Sequence, residues 1–158
     1  MKKLFCVFFF LILTITVFAQ ENKRPEKPFS IGAGLEFDMN ARHNFAGGAL
    51  ANVLFDLDSR YALGLTFTAS TNFNGFSVME PLFSFRRYVG SNNKYRLFFG
   101  LDTGVFIIFE DGDVIPMFDI GLRGGTRIPL GSIFYIEPYG RLGYPFAFGI
   151  GAVAGICF

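Results

Sequence analysis

The sequence predicts an all-β fold, a transmembrane up-and-down antiparallel β-barrel of about eight strands, and three observations support this prediction. The chain is 51% apolar and 18% aromatic. After residue 19, however, no run approaches the ~20 consecutive apolar residues that a membrane-spanning helix needs. Apolar and polar residues instead alternate along short segments, and turn-forming residues separate those segments. Apolar composition dispersed in this way is typical of strands.

The N-terminal segment is predicted to be a cleaved export signal. Lys2 and Lys3 form its basic start, an apolar run follows, and Val17-Phe18-Ala19 is typical of a cleavage site. The next residues are charged and include two prolines, which favours a solvated leader ahead of the fold. The expected organisation is a signal peptide at residues 1–19, a flexible leader at 20–28 and an outer-membrane-type barrel at 29–158.

The charge balance and the cysteine count exclude two features. Loss of the signal removes Lys2 and Lys3 from the fourteen Lys and Arg but none of the thirteen Asp and Glu, so twelve stand against thirteen and the formal charge is −1. A nearly neutral chain gives no indication of a nucleic-acid partner. Of the two cysteines only Cys157 then remains, so no internal disulfide is expected.

Alternation with a period of two places the strands along the chain. In residues 29–38 the odd positions are apolar, whereas the even positions are polar or glycine. We predict strands at 29–38, 45–57, 61–70, 76–89, 95–109, 115–128, 133–144 and 146–158. Turn residues at 58–60, 90–93 and 129–132 mark one end of the meander, and those at 72–75 and 110–113 mark the other.

Two prolines interrupt this pattern, because Pro81 and Pro138 fall inside the fourth and seventh predicted strands. Each proline removes a backbone donor that a closed barrel would normally use. We therefore expect a β-bulge at each position, and a bulge would shift the local assignment of faces.

The composition of the two strand faces indicates which face meets lipid. The polar face carries many of the nineteen glycines, and small residues suit the crowded inner side of a narrow barrel. A water-facing surface is usually rich in lysine, yet the only lysine after Lys27 is Lys94. The apolar face is nearly free of charge, and its exception, Arg87, lies close to a turn where it can reach the membrane interface. The apolar side chains are therefore expected to point outward into lipid.

The polar face also holds a nearly balanced set of charges. Arginine can form two hydrogen bonds to one carboxylate, so such a set can satisfy itself inside a closed lumen. Within single strands, we expect Glu80 to pair with Arg86, and Glu137 with Arg141. The predicted lumen charge network comprises the acids Glu36, Asp56, Glu80, Asp102, Asp119 and Glu137 and the bases Arg86, Arg96, Arg123, Arg127 and Arg141.

The last predicted strand carries alternating apolar residues and ends on an aromatic residue. The motif consists of Phe148, Ile150, Ala152, Ala154, Ile156 and Phe158. Over residues 29–158 the chain resembles the small eight-stranded outer-membrane barrels of the OmpA/OmpX type. The resemblance implies that the barrel-assembly machinery reads this motif, and that the protein lies among the lipids of the outer membrane of a diderm bacterium. Short exterior connections, the lack of Trp and the expected absence of a peptidoglycan-binding domain argue against a receptor, adhesion or wall-anchoring role.

The leading functional hypothesis is a non-enzymatic, monomeric outer-membrane protein with a largely filled lumen, which contributes to envelope structure or allows limited passage of small solutes. A small channel or transporter is the related alternative. Some barrels that the chain resembles are lipid-modifying enzymes, which implies a second hypothesis with His43 at the outer rim, near Asp38 and Ser70 or Ser77. A third hypothesis is a soluble barrel whose apolar face encloses an apolar ligand.

No catalytic residue, cofactor or metal is expected. The acidic turn Glu110-Asp111-Gly112-Asp113 lacks the spaced ligands of a calcium loop. The glycines of Gly121-Leu122-Arg123-Gly124-Gly125 are not followed by the Gly-Lys-Ser/Thr of a phosphate loop, so they are interpreted as strand residues.

Overall fold

The structure of the chain is a computed structural model, which describes residues 26–40, 44–89, 95–110 and 112–158, apart from the side chains of Asn40 and Asn44. The predicted signal peptide, most of the leader, His43 and Asp111 lie outside these ranges. No helix within them has the length and the apolar character to cross a bilayer.

Eight antiparallel strands form a closed barrel, in which each strand pairs with the next and the last pairs with the first. The strands are β1 (Phe29–Asn40), β2 (Asn44–Asp56), β3 (Tyr61–Thr71), β4 (Phe76–Val89), β5 (Arg96–Glu110), β6 (Asp113–Leu130), β7 (Phe134–Tyr144) and β8 (Phe146–Cys157). The predicted fold class and number of strands are confirmed. No strand end differs from its predicted position by more than two residues.

The two ends of the barrel carry different parts of the chain. We call the end with Phe29, Phe158 and the turns after β2 and β6 the termini end, and the end with the turns after β3 and β5 the far end. Side-chain acceptors help to shape these turns. At the termini end, Asp58 Oδ1 accepts hydrogen bonds from the backbone N–H of Arg60 at 2.6 Å and of Tyr61 at 2.7 Å, as an Asx-type turn requires. Short turns of this kind fit an up-and-down meander.

The bulge expected at Pro81 is absent. The pairing of β4 with β5 keeps one register from Met79↔Ile107 to Leu82↔Gly104, and the side chains of β4 alternate between the two faces along the whole strand. Pro81 interrupts the ladder without shifting it, because it lacks a single donor and its carbonyl oxygen lies where Gly104 leaves room. A Cβ at Gly104 would collide with that oxygen.

The bulge expected at Pro138 is absent for the same reason. The pairing of β6 with β7 has one register on both sides of Pro138, and the carbonyl oxygen of Pro138 lies against Gly125. A register shift does occur elsewhere in the described pairing, between Met39 and Asn40, where β1 meets the start of β8. The predicted face assignments of β4 and β7 therefore hold through both prolines.

The outer surface is apolar and the interior is charged. Phe67 and Ile150 are 46% and 50% exposed on the outside, whereas Arg123 and Glu137 are 1% and 0% exposed. This orientation contradicts the hypothesis of a soluble barrel with an apolar interior, because such a barrel would bury the two apolar residues and expose the charged ones. Arg87 is exposed near the end of β4, a position from which its side chain can reach the membrane interface as expected.

Two apolar layers lie in the two halves of the interior. Most of the buried charged residues lie between them, as β4 illustrates: Phe76 and Val78 come first, Glu80 and Arg86 follow, and Tyr88 is near the termini end. The termini-end layer consists of Leu50, Ala62, Tyr88, Phe98, Tyr135, Tyr139 and Val153. The far-end layer consists of Phe76, Val78, Phe106, Ile108 and Phe146. The candidate site consists of the charged side chains of the interior, most of which lie between these layers.

Candidate functional site

Glu137 of β7 joins two arginines in the half of the lumen nearer the termini end. Arg86 of β4 donates from Nη1 to Glu137 Oε1, and Arg127 of β6 donates from Nε to Glu137 Oε2 at 2.9 Å. Both guanidinium groups also lie over aromatic rings: that of Arg86 is 4.6 Å from the centre of Phe98, and that of Arg127 is 4.2 Å from the centre of Tyr135. Ion pairing and ring contact together compensate for the loss of water around these charges.

A second group connects β3, β4, β5 and β6. Arg123 Nε donates to Asp102 Oδ2 at 2.6 Å, and Ser84 Oγ donates to Asp102 Oδ1 at 2.7 Å. The hydroxyl of Thr66 lies 3.0 Å from that of Ser84 and continues the chain of polar contacts. The guanidinium of Arg123 is 4.4 Å from the ring centre of Tyr139. Both oxygens of Asp102 therefore have a donor.

A third group, in the half nearer the far end, is rich in acids. Arg141 of β7 lies 3.0 Å from Glu36, 3.3 Å from Asp38 and 2.7 Å from Glu80, measured between guanidinium nitrogen and carboxylate oxygen. The hydroxyl of Tyr139 donates to Glu36 Oε2. One guanidinium here serves three carboxylates, so the group is not balanced in charge.

A fourth pair lies at the termini end. Arg96 Nη1 donates to Asp56 Oδ2 at 3.1 Å, and its Nη2 donates to the carbonyl oxygen of Ser59 at 2.9 Å. The Arg96 side chain is 29% exposed and lies over the ring of Tyr88 at 3.8 Å. Because solvent reaches this arginine, the pair is screened more strongly than the others.

The structure places the eleven residues of the predicted lumen network on the inner side of the barrel. Ten of them take part in the ion pairs described above. Within the described part of the chain, Asp119 has no ion pair, and its two side-chain oxygens have no donor; its carboxyl group lies beside that of Glu80. Asp38, which the predicted network omits, does belong to it. It shares the strand parity of Glu36, so parity alone could have included it.

The expected pairing within single strands is wrong. Glu80 pairs with Arg141 rather than with Arg86, and Glu137 pairs with Arg86 rather than with Arg141. A strand rises about 3.3 Å per residue, so residues four or six positions apart on one strand are more than ~10 Å apart along it. Partners must therefore come from other strands across the lumen, at the same height in the barrel.

The motif of the last strand lies on the outer surface. Phe148, Ile150 and Phe158 are exposed there, together with Ala152, Ala154 and the partly exposed Ile156. The Phe158 ring contacts that of Phe29, with 6.2 Å between the ring centres. The motif is thus presented on the lipid-facing side next to the seam between β1 and β8.

The residues named for a lipid-modifying enzyme do not converge in the described part of the chain. His43 lies outside it. Asp38 is buried and ion-paired with Arg141, and Ser70 is buried in the interior, whereas Ser77 is exposed and contacts the Thr71 hydroxyl at 3.3 Å. This geometry does not favour a triad with His43. That the chain has no catalytic activity stays a prediction.

The acidic group also brings possible ligands together, which the sequence did not predict. One oxygen from each of Glu36, Asp38 and Glu80 lies within 4.8 Å of the others, and all three residues are buried. They come from β1 and β4, which are not neighbours in the barrel. The cluster forms because closure of the barrel brings β1 and β4 to face each other across the lumen. No motif along the sequence could therefore have predicted it.

Solved structures of small outer-membrane barrels share this architecture. Neisserial surface protein A matches with a TM-score of 0.66 and 11% identity, over 83% of this chain and 97% of that one. The N-terminal β-barrel domain of Pseudomonas aeruginosa OprF matches with a TM-score of 0.62 and 11% identity, over 82% and 97%. The outer membrane protein OprG from Pseudomonas aeruginosa matches with a TM-score of 0.62 and 10% identity, over 88% and 98%.

No family model matches the sequence, and no curated protein does either. At such low identities the structural likeness defines the fold alone. The chain has the fold of the small eight-stranded outer-membrane β-barrels.

Proposed function

We propose that the protein is an integral outer-membrane barrel that contributes to the structure of the envelope and conducts small solutes poorly. The observation that carries this proposal is the combination of an apolar outer surface with an interior that is filled by side chains. In an eight-stranded barrel the interior is just wide enough for side chains to fill it. The two apolar layers and the ion pairs between them use that space.

The outer surface supports insertion as a monomer in contact with outer-membrane lipid. Leu35, Leu65 and Leu122 are among the most exposed apolar residues of the chain. A protein with such an outer surface would aggregate in water unless lipid covers that surface. A closed barrel has no free strand edge, so the fold itself does not require a second copy. The predicted signal at residues 1–19 and the outward motif that ends at Phe158 support export and recognition by the barrel-assembly machinery.

Planar-bilayer recording tests the proposal of a filled lumen. The purified wild-type protein is expected to give no large, stable conductance steps. The double variant Phe106→Ala and Phe146→Ala removes two rings from the far-end layer and is expected to raise the leak current.

The matched control is the double variant Phe99→Ala and Phe118→Ala, which removes two rings from the outer surface and should leave the current at the wild-type level. Large and stable steps from the wild-type protein would contradict the proposal. So would equal leak currents in the interior and exterior variants.

A further inference from the structure

Four buried carboxylates surround a single guanidinium in the far-end half of the lumen. Glu36 and Asp38 come from β1, Glu80 from β4 and Asp119 from β6. Arg141 contacts the first three. Four carboxylates against one guanidinium leave an excess of three negative charges when all are ionised.

Neighbouring cations do not remove this excess. Arg123 lies 3.9 Å from Glu36, but its Nε donates to Asp102 at 2.6 Å. The charge of Arg123 is therefore already balanced by Asp102. The excess is also buried, where like charges repel more strongly than in water.

Asp119 provides an independent indication that the acidic group binds a ligand. Its residue exposure is 0%, and when the carboxyl groups are ionised no donor of the described residues binds either of its oxygens. The charges of Arg141, Asp102 and Asp38 act on it, and its carboxyl group lies within hydrogen-bonding reach of that of Glu80, so the side chain belongs to the acidic group. A second free oxygen, Asp38 Oδ2, is buried in the same group. Buried carboxylate oxygens without a partner are costly, and such oxygens normally bind a donor or a cation.

We propose that a hard divalent cation of the Ca²⁺ type binds in this acidic group, with Glu36, Asp38 and Glu80 as its carboxylate ligands and the charge of Asp119 beside them. The candidate ligands are all oxygens, and oxygen donors select hard cations such as Ca²⁺ over softer metals. One divalent ion would lower the excess from three negative charges to one. Ca²⁺ suits a site built from several carboxylates better than Mg²⁺, which retains most of its water.

The surroundings of the acidic group favour tight binding. The far-end layer lies between the group and the far end of the barrel, and the ring of Phe146 contacts Arg141 with 3.8 Å from the guanidinium carbon to the ring centre. An apolar cover of this kind limits competition from water and strengthens the attraction between a cation and its ligands. The competing explanation is that the carboxylates share protons and bind no metal.

Terbium luminescence separates the two explanations. Tb³⁺ replaces Ca²⁺ at oxygen sites, and a nearby tyrosine can excite it. Tyr139 donates to Glu36 of the acidic group, and the chain has no Trp to interfere. We expect the refolded barrel, in uncharged detergent free of lipopolysaccharide, to give saturable tyrosine-sensitised emission that Ca²⁺ displaces.

Two variants and a control locate the site. Asp119→Asn and Glu80→Gln should each weaken Tb³⁺ and Ca²⁺ binding by about tenfold or more, because Glu80→Gln removes a ligand and Asp119→Asn removes a buried negative charge that attracts the cation. Asp56→Asn changes a lumen carboxylate at the termini end, paired with Arg96, and should bind as the wild type does. Gel mobility with and without boiling confirms that each variant is folded before it is measured.

Thermal unfolding supplies a second readout. Ca²⁺ should raise the unfolding temperature of the wild type but not that of Asp119→Asn. In chelator, Asp119→Asn should be the more stable of the two, because the amide removes one of the repelling charges. Absence of saturable emission from the folded wild type would overturn the proposal. Unchanged binding by both Asp119→Asn and Glu80→Gln would overturn it as well.

Discussion

The contribution of each lumen carboxylate to the stability of the barrel depends on how deeply its arginine partner is buried. Glu137 is the clearest case, because it is fully buried and accepts hydrogen bonds from both Arg86 and Arg127. Its removal would leave two buried guanidinium groups without a counter-charge. Asp56 is different, since it pairs with Arg96, which solvent partly reaches.

Glu137→Gln should therefore destabilise the folded barrel by about 3–5 kcal/mol, the usual effect of breaking a buried ion pair on one side only. Asp56→Asn should lower the free energy of unfolding by less than Glu137→Gln does, because solvent partly screens the charge of Arg96. Urea-induced unfolding in lipid vesicles measures both values. Equal losses in the two variants would show that burial of the arginines has little influence on stability.

Strand parity predicted correctly that the charged residues of the network are interior, but not which of them form ion pairs. It also failed for Phe146, which shares the parity of the outward Phe148 but is buried in the interior. Every residue of the predicted lumen network has the parity of its strand's inner face. The partners of Glu80 and Glu137 were wrong, since each binds an arginine of another strand. That choice depends on the stagger of strands in the closed barrel, and stagger is not encoded in the spacing along one strand.

At the scale of the strand, the alternation of inner and outer side chains continues through Pro81 and Pro138, where we expected bulges to shift it. A proline removes one donor, and a bulge is only one way to accommodate that loss. Here the facing strand supplies Gly104 near Pro81 and Gly125 near Pro138, and the backbones approach closely without a change of register. Because these glycines are far from the prolines in sequence, the sequence pattern of one strand could not predict this solution.

The outer face of each strand gives a prediction that depends on depth in the membrane. Leu65 and Leu130 are both exposed on the outside, but Leu65 lies in the middle of β3 and Leu130 at the end of β6. Leu65→Arg should cost about 2–4 kcal/mol of stability in vesicles, whereas Leu130→Arg should cost about 1 kcal/mol or less. Equal costs, measured by urea unfolding, would argue against a bilayer centred on the strands.

The last strand allows stability to be separated from assembly. Phe158 and Phe29 contact each other at the seam, so Phe158→Ser and Phe29→Ser remove the same ring contact. If the assembly machinery reads the end of β8, Phe158→Ser should reduce insertion in cells several-fold, and Phe29→Ser should not. The measurement is the amount of heat-modifiable protein in outer-membrane fractions. Equal insertion of the two variants would mean that Phe158 is only a packing residue.

At the scale of the whole molecule, closure of the sheet produces the features that matter for function. It removes the strand edges, places charged side chains from different strands at one height, and leaves the apolar faces on the outside. An outer surface of this kind requires lipid, and an interior of this kind requires that the charges be paired. The central claim is therefore the orientation of the two faces in a bilayer.

Fluorescence quenching by lipids with brominated acyl chains tests this orientation most directly, because the chain has no Trp and a single one can be introduced. The variant Phe67→Trp places the indole on the outer surface, and Phe98→Trp places it in the termini-end layer. The account predicts strong quenching of Phe67→Trp and little quenching of Phe98→Trp. Strong quenching of Phe98→Trp with a protected Phe67→Trp would contradict it.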